Sequence, residues 1–192
     1  METSKWLELA KSTDLGRYGL TGGWRHKDRL YYCDGHRMHY EVKLAEVSTP
    51  VSTTGLDASM MPNFETVIPA EETLQEIYSI THKERAHLVR WLKAVNSADK
   101  KAVIKLSANE SGMMLEVKSV GELIATVQLK IGGYVEKENS FRCLCQLKYL
   151  LDAVSMANYC DTTFYKTSAK ESNSLTIRSS TYCALLMLMK LD

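Results

Sequence analysis

Proline is scarce in the 192-residue chain, with three residues, and the five cysteines follow no tight spacing. So little proline excludes a collagen-like or polyproline chain. An odd, scattered cysteine set fits a reducing compartment better than a disulfide scaffold. No apolar run approaches the roughly 20 residues of a membrane span. The start, METSKWLELAKSTD, lacks the charged-then-apolar layout of a secretion signal. The expectation is a cytoplasmic protein with no membrane partner. Charge of one sign is lacking as well: 24 Lys and Arg against 23 Asp and Glu leave a formal +1. That balance argues against a strongly basic nucleic-acid binder and leaves room for a local basic stripe. With 45% apolar residues, the chain can bury the core of one large or two small domains.

Catalytic signatures are missing too. The sequence has no GxxxxGK[ST], no GxGxxG after a strand, no GxSxG and no HExxH. The nearest approach to a metal set is Cys33, His36 and His39 in YYCDGHRMHY. Zinc takes about four ligands in a tetrahedral cage, and a fourth would come from far along the chain. On a continuous strand, Cys33 and His39 would face one side and His36 the other. Ordinary strand and turn residues are the better reading, and neither a catalytic residue, a metal nor a cofactor is expected. Cys143 and Cys145, two apart at an apolar strand end, read as buried structural residues.

What the sequence does have is a repeat. An amphipathic helix followed by strands occurs three times. The first copy runs SKWLELAKS, then RYGLTGGWRH and RLYYCDGHRMHYEVKL; the second ERAHLVRWLKAV, then KAVIKLSA, GMMLEVKS and LIATVQLKI. The third runs QLKYLLDAVSM, then CDTTFYKTS, NSLTIRS and TYCALLMLMKL. Strand-like LQEIYSI and SFRCL precede the last two copies and make them βαβββ units. Thr81-His82-Lys83-Glu84 has the capping-box pattern of a helix start. Asn109-Glu110-Ser111-Gly112 and Lys170-Glu171-Ser172-Asn173 read as hairpin turns. The fold class is therefore α+β, with helices packed on one face of antiparallel sheets. The first copy lacks a preceding strand, and residues 45–69 are too short for more than one strand and a linker. Residues 1–60 read as a partial half domain plus linker and residues 61–192 as a complete domain of two units.

Three segments in this order resemble the bacterial DNA sliding clamp, the beta subunit of DNA polymerase III. Arg17-Tyr18-Gly19-Leu20 followed by Cys33-Asp34-Gly35-His36-Arg37-Met38 is similar to the clamp's middle domain with its TDGHRL motif. Met61-Pro62-Asn63-Phe64-Glu65-Thr66-Val67-Ile68-Pro69 looks like the FPDYxxVxP linker into the third domain. The ending Leu186-Met187-Leu188-Met189-Lys190-Leu191 resembles the VMPMRL terminus. Cys33 stands where the motif has threonine, Leu188 where the terminus has proline, and Lys190 where it has arginine. The clamp's first domain has no counterpart here.

The resemblance implies repeated βαβββ units of the DNA-clamp type and a cleft that takes short apolar peptides of polymerase and repair proteins. Residue by residue, it assigns that cleft to Leu20, Cys33, Gly35, His36, Arg37 and Met38. Pro62 and Val67 join from the linker, and Leu185, Met187, Met189 and Leu191 from the terminus. It also implies that the motif lies on a long bent strand. Asp34-Gly35 between apolar runs has a second reading, a type I′ hairpin; the bent strand is the expectation adopted here.

Helical spacing from Glu84 puts Leu88, Trp91, Leu92 and Val95 on one face. Lys83, His87 and Arg90 fall opposite, with Lys93 at the edge, as a duplex-DNA stripe without sequence preference would require. The other helices carry less charge bias: Lys148 sits beside Asp152 on the polar side of the third, and Lys5 and Lys11 mix with Glu8 on the first. An incomplete first sheet leaves edges to cover, so a homo-oligomer is expected, the half unit completing a neighbour's sheet. The leading functional expectation is a non-enzymatic processivity or tethering factor in DNA replication. The alternatives are a clamp-fold adaptor or competitor that does not encircle DNA, and a small enzyme using Cys33, His36 and His39.

Overall fold

The architecture comes from a computed structural model that describes residues 3–110, 112–118, 127–131, 140–156, 159–167 and 173–189. Ser111, Lys170, Glu171, Ser172, Lys190 and Leu191, which carry expectations above, lie outside them. Among the described residues the chain begins with α1 (Thr3–Glu8) and a hairpin of β1 (Trp24–Cys33) and β2 (Arg37–Ser52). Two βαβββ units follow. The first is β3 (Leu74–Ile80), α2 (His82–Ala98), β4 (Val103–Asn109), β5 (Gly112–Lys118) and β6 (Val127–Ile131). The second is β7 (Phe141–Gln146), α3 (Leu147–Val154), β8 (Thr162–Thr167), β9 (Ser174–Ser179) and β10 (Tyr182–Met187).

Local chemistry sets the starts and stops. At α2 the Glu84 amide donates to Thr81 Oγ1 (3.3 Å), and the Thr81 amide donates to Glu84 Oε2 (2.8 Å). This reciprocal pair satisfies two helix-end donors, as the capping box requires. In β4 the burial alternates from Val103 to Asn109, a strand with one covered face. Asn109 opposite Gly112 closes its hairpin with β5.

The strands form two antiparallel sheets, ordered β1-β2-β10-β9-β8-β3 and β6-β5-β4-β7. Each unit lends its leading strand to the other unit's sheet: β3 pairs with β8, and β7 with β4. This exchange ties the units through one core. Leu88 and Leu92 of α2 and Leu150 and Val154 of α3 meet Phe164, Ile177 and Leu186 of the larger sheet and Ile104, Leu106 and Leu115 of the smaller. Cys143 and Cys145 are buried in it, opposite Leu106 and Ile104.

The first copy departs from expectation in two ways. Its strands add to this chain's own larger sheet, because β2 pairs with β10 from Arg37–Leu186 to Glu41–Tyr182. The half unit thus completes its own sheet and not a neighbour's. Second, the DGH stretch is a turn and not part of a long bent strand. Cys33 pairs with Met38, the Asp34 amide donates to the Arg37 carbonyl (3.2 Å), and Gly35 takes φ +90°. Nor is it type I′, which needs positive φ at two central residues; Gly35 is the one residue of the turn with positive φ. Asp34 Oδ1 instead accepts from the His36 and Arg37 amides at 2.8 and 3.0 Å, an Asx turn that holds the loop.

Candidate functional site

Successive residues of β1 and β10 serve two different cores, one on each face of the sheet, whereas β2 alternates polar residues (Arg37, His39, Glu41) with apolar ones (Met38, Tyr40, Val42). One set, with Leu30, Tyr32, Ala184 and Leu186, joins the helix-covered core. The alternate set turns to the opposite face, where Tyr31, Met38, Tyr40, Cys183 and Leu185 gather with Trp24 and Phe64. Cross-strand register explains the grouping: Tyr31 faces Tyr40, Tyr40 faces Cys183, and Met38 faces both Cys33 and Leu185. Phe64 enters from the linker and stacks on Tyr31 with ring centroids 5.0 Å apart.

Four sequence-predicted residues, Leu20, Cys33, Met38 and Leu185, meet in this second cluster. Leu20 lies on a one-turn 3-10 helix, Tyr18–Leu20, held by the Trp24 indole donating to the Gly19 carbonyl (2.7 Å). Gly19 is required there because a Cβ would stand 2.5 Å from the Met60 carbonyl oxygen, with the Pro62 ring at 3.4 Å. That close approach brings Pro62 beside Gly19 of the Tyr18–Leu20 turn. Val67 follows the Phe64–Thr66 turn and is exposed, its amide donating to the Phe64 carbonyl (3.1 Å).

Two backbone hydrogen bonds fix the chain's end, one to the turn and one to β7. The Met187 amide donates to the His36 carbonyl at 2.8 Å, and the Met189 amide to the Leu144 carbonyl at 2.8 Å. Both methionine side chains face solvent, at 40% and 45% exposure. Leu191 lies outside the described residues. Gly35 and His36 are exposed at the turn, and an added Cβ on Gly35 would sit 3.7 Å from Leu20 Cδ1. The result is a second apolar cluster, buried beneath the linker and centred on Tyr31, Tyr40 and Phe64, with Leu20 packed against it, Val67 exposed after the linker's turn and Met187 exposed at the end of β10. Sequence reading missed its aromatic centre, although the alternation in LYYC and MHY carries the signal.

Arg37 is the exception among the assigned residues. Its side chain is 9% exposed and turned to the helix side of the sheet. Nε donates to Asp34 Oδ2 (3.0 Å), one terminal nitrogen to Asp152 and the other to the Leu9 carbonyl. Its guanidinium lies 4.6 Å from the Tyr149 ring centroid, and the His36 ring stacks on the same tyrosine at 6.2 Å. Arg37 therefore braces the turn from behind. Asp152, read above as polar surface, is 4% exposed for the same reason.

Burial keeps the titratable groups of this cluster neutral. Burial pushes the thiols of Cys33 and Cys183 and the Tyr40 hydroxyl above their usual values. None is an activated nucleophile. Cys33 and His39 also lie on opposite faces, contrary to the strand reading, because the turn sets Met38 and not His39 across from Cys33. His39 is fully buried against Trp6, with rings 4.3 Å apart and Nδ1 3.0 Å from the Trp6 carbonyl. Burial lowers its pKa to about 3. Among the described residues no group of His, Cys, Asp and Glu could hold a metal ion.

On α2, Lys83, His87, Arg90 and Lys93 are all exposed, while Leu88 and Leu92 are fully buried and Trp91 and Val95 half-buried. The helix's remaining arginine, Arg85, points inward instead, donating to Thr162 Oγ1 (3.2 Å) and Ser179 Oγ (3.3 Å).

No protein-family model matches the chain, and no curated protein does. Solved structures do. The Caulobacter crescentus polymerase III beta subunit superposes with a TM-score of 0.71 at 17% identity, covering 100% of this chain and 65% of its own. The beta subunit from Borrelia burgdorferi, solved with a natural product, gives 0.71 at 16% identity over 97% of this chain and 59% of its own. The Helicobacter pylori beta clamp bound to a DNA ligase peptide gives 0.65 at 16% identity over 97% and 62%. The chain thus has the sliding-clamp fold and spans less than two thirds of the length of these clamps.

Proposed function

We propose that this protein is a shortened sliding-clamp-like tethering factor of DNA replication, holding polymerase or repair proteins through their short apolar peptide motifs. The observation that carries this reading is the convergence of the turn, the linker and the chain's end at one apolar cluster. The chain's end lies more than a hundred residues from the other two in sequence. The three segments leave Met60, Val67, Met187 and Met189 exposed, four of the seven large apolar side chains exposed among the described residues. Solvated methionines beside an aromatic cluster suit a groove that accepts varied apolar anchors, because the thioether is flexible and polarizable. A sliding-clamp relative bound to a DNA ligase peptide supports the same class of partner.

Such a factor performs no catalysis; it raises the local concentration of an enzyme at its template. Residues 61–192 form the complete clamp-like domain in this reading, and 1–60 the half domain with its linker. The exposed stripe Lys83, His87, Arg90 and Lys93 is the contact to duplex phosphates, and a cytoplasmic homo-oligomer is the working assembly. Titration with the DNA ligase peptide tests the cleft. One saturable site is expected, weakened about tenfold by Met187→Ala with Met189→Ala. Unchanged affinity in the folded double variant contradicts it. Solution mass and shape test the assembly: a closed oligomer wide enough for duplex supports encirclement, and a compact monomer supports an adaptor.

A further inference from the structure

We infer that Asp152 on α3 is a positioning residue of the proposed cleft, acting through Arg37 to preset the turn against which Met187 is hydrogen-bonded. The inference rests on the peptide-cleft reading and adds a residue 115 positions away from the turn it holds. Neither Asp152 nor the helix side of the sheet belongs to the proposed cleft itself.

The geometry forms a chain of contacts. Asp152 is 4% exposed and accepts both the Arg37 guanidinium and Lys148 Nζ. The Trp6 indole donates to the Asp152 carbonyl at 2.9 Å, fixing α1 against the same turn of α3. Arg37 then reaches Leu9 at the end of α1 and Asp34 in the turn. Asp34 holds the His36 amide, and the His36 carbonyl holds the Met187 amide. A planar guanidinium with donors in a fixed fork suits such a junction, which lysine cannot reproduce. Without Asp152, buried Arg37 would keep only the Asp34 carboxylate of the turn itself, and the turn would shift to solvate the guanidinium nitrogen left unpaired. Met187 and His36 would move with it, and a groove that is no longer preset binds more weakly.

The test compares Asp152→Asn, Asp152→Glu and Lys148→Met in the full chain, with the DNA ligase peptide as probe and the Met187 methyl resonance as reporter. Asp152→Asn is expected to shift or broaden that resonance in the free protein and to weaken the peptide about tenfold or more. Asp152→Glu should restore part of the affinity, and Lys148→Met, whose lysine is half-exposed, should leave it within about twofold. A lowered melting temperature in Asp152→Asn with the Met187 resonance and the affinity unchanged overturns the inference, since a merely structural residue would behave so. Should Asp152→Asn fail to fold, Arg37→Lys makes the same two measurements with both charges kept, and an unmoved Met187 again overturns it. If the parent binds no peptide, the cleft reading falls, and the methyl resonance still decides whether Asp152 sets the turn.

Discussion

The two faces of the larger sheet are built from the same strands and differ in what covers them. One face is sealed by helices and by the smaller sheet, and its residues, such as Phe164, Ile177 and Ala184, are fully buried. The other is covered by the extended linker, which anchors Phe64 and ties Glu65 to Lys27 (2.7 Å) and Glu71 to Arg178 (2.6 Å). Both of those carboxyls titrate below their usual range through these hydrogen bonds. The linker buries its cluster while leaving its own Met60 and Val67 exposed. The inner face carries most of the buried core, and the outer one is where the proposed recognition would occur.

Core truncation separates the faces most strongly. Phe164→Ala on the inner face should lose about 3–5 kcal/mol of unfolding free energy in denaturant titration. Phe64→Ala on the outer face should lose less stability, because the linker can collapse into the gap, and yet abolish most peptide binding. Equal stability losses with peptide binding intact would erase the distinction.

A pH experiment comes next. His39 on the inner face is neutral in the fold, with its pKa lowered to about 3 from 6.5 by burial. The unfolded chain therefore binds one more proton between those values, and stability falls as pH drops from 6.5 toward 3. The slope attributable to His39 is up to about 1.4 kcal/mol per pH unit. Thermal or urea unfolding should show that slope, and His39→Gln should remove its share. A variant with the parent's pH profile would show that His39 does not contribute.

Smaller effects belong to the helix surface. Lys83→Glu with Arg90→Glu should cut low-salt duplex binding and flatten its salt dependence, leaving peptide affinity within about twofold; unchanged duplex binding removes the stripe from the account. Thr81→Ala should cost about 1 kcal/mol through the lost cap, without touching either ligand.

How far the sequence reveals this structure depends on the range of the interaction. The capping box at Thr81, the strand Leu74–Ile80 and the alternation in KAVIKLSA are local, and they read directly. The pairing of β2 with β10 is not: it joins residues more than a hundred positions apart, and alternation along β2 shows which side is covered without naming the partner strand. Asp34-Gly35 carried a correct hairpin signal that the family resemblance overrode. Asp152 misled because an i,i+4 lysine marks a polar helix side, and the buried Arg37 that draws it inward lies far away in sequence. Leu20, Cys33, Met38 and Leu185, named from the motifs, do share one cluster, whereas its aromatic centre and the Tyr149 platform emerge from tertiary register.

The most direct test follows the methyl signals of Met187 and Met189 while the DNA ligase peptide is added to the folded protein. The account predicts saturable shifts at both, together with Met38 on the same face, and none at Met113 in the helix-covered core. Binding that leaves Met187 and Met189 unmoved, or no binding at all, contradicts it.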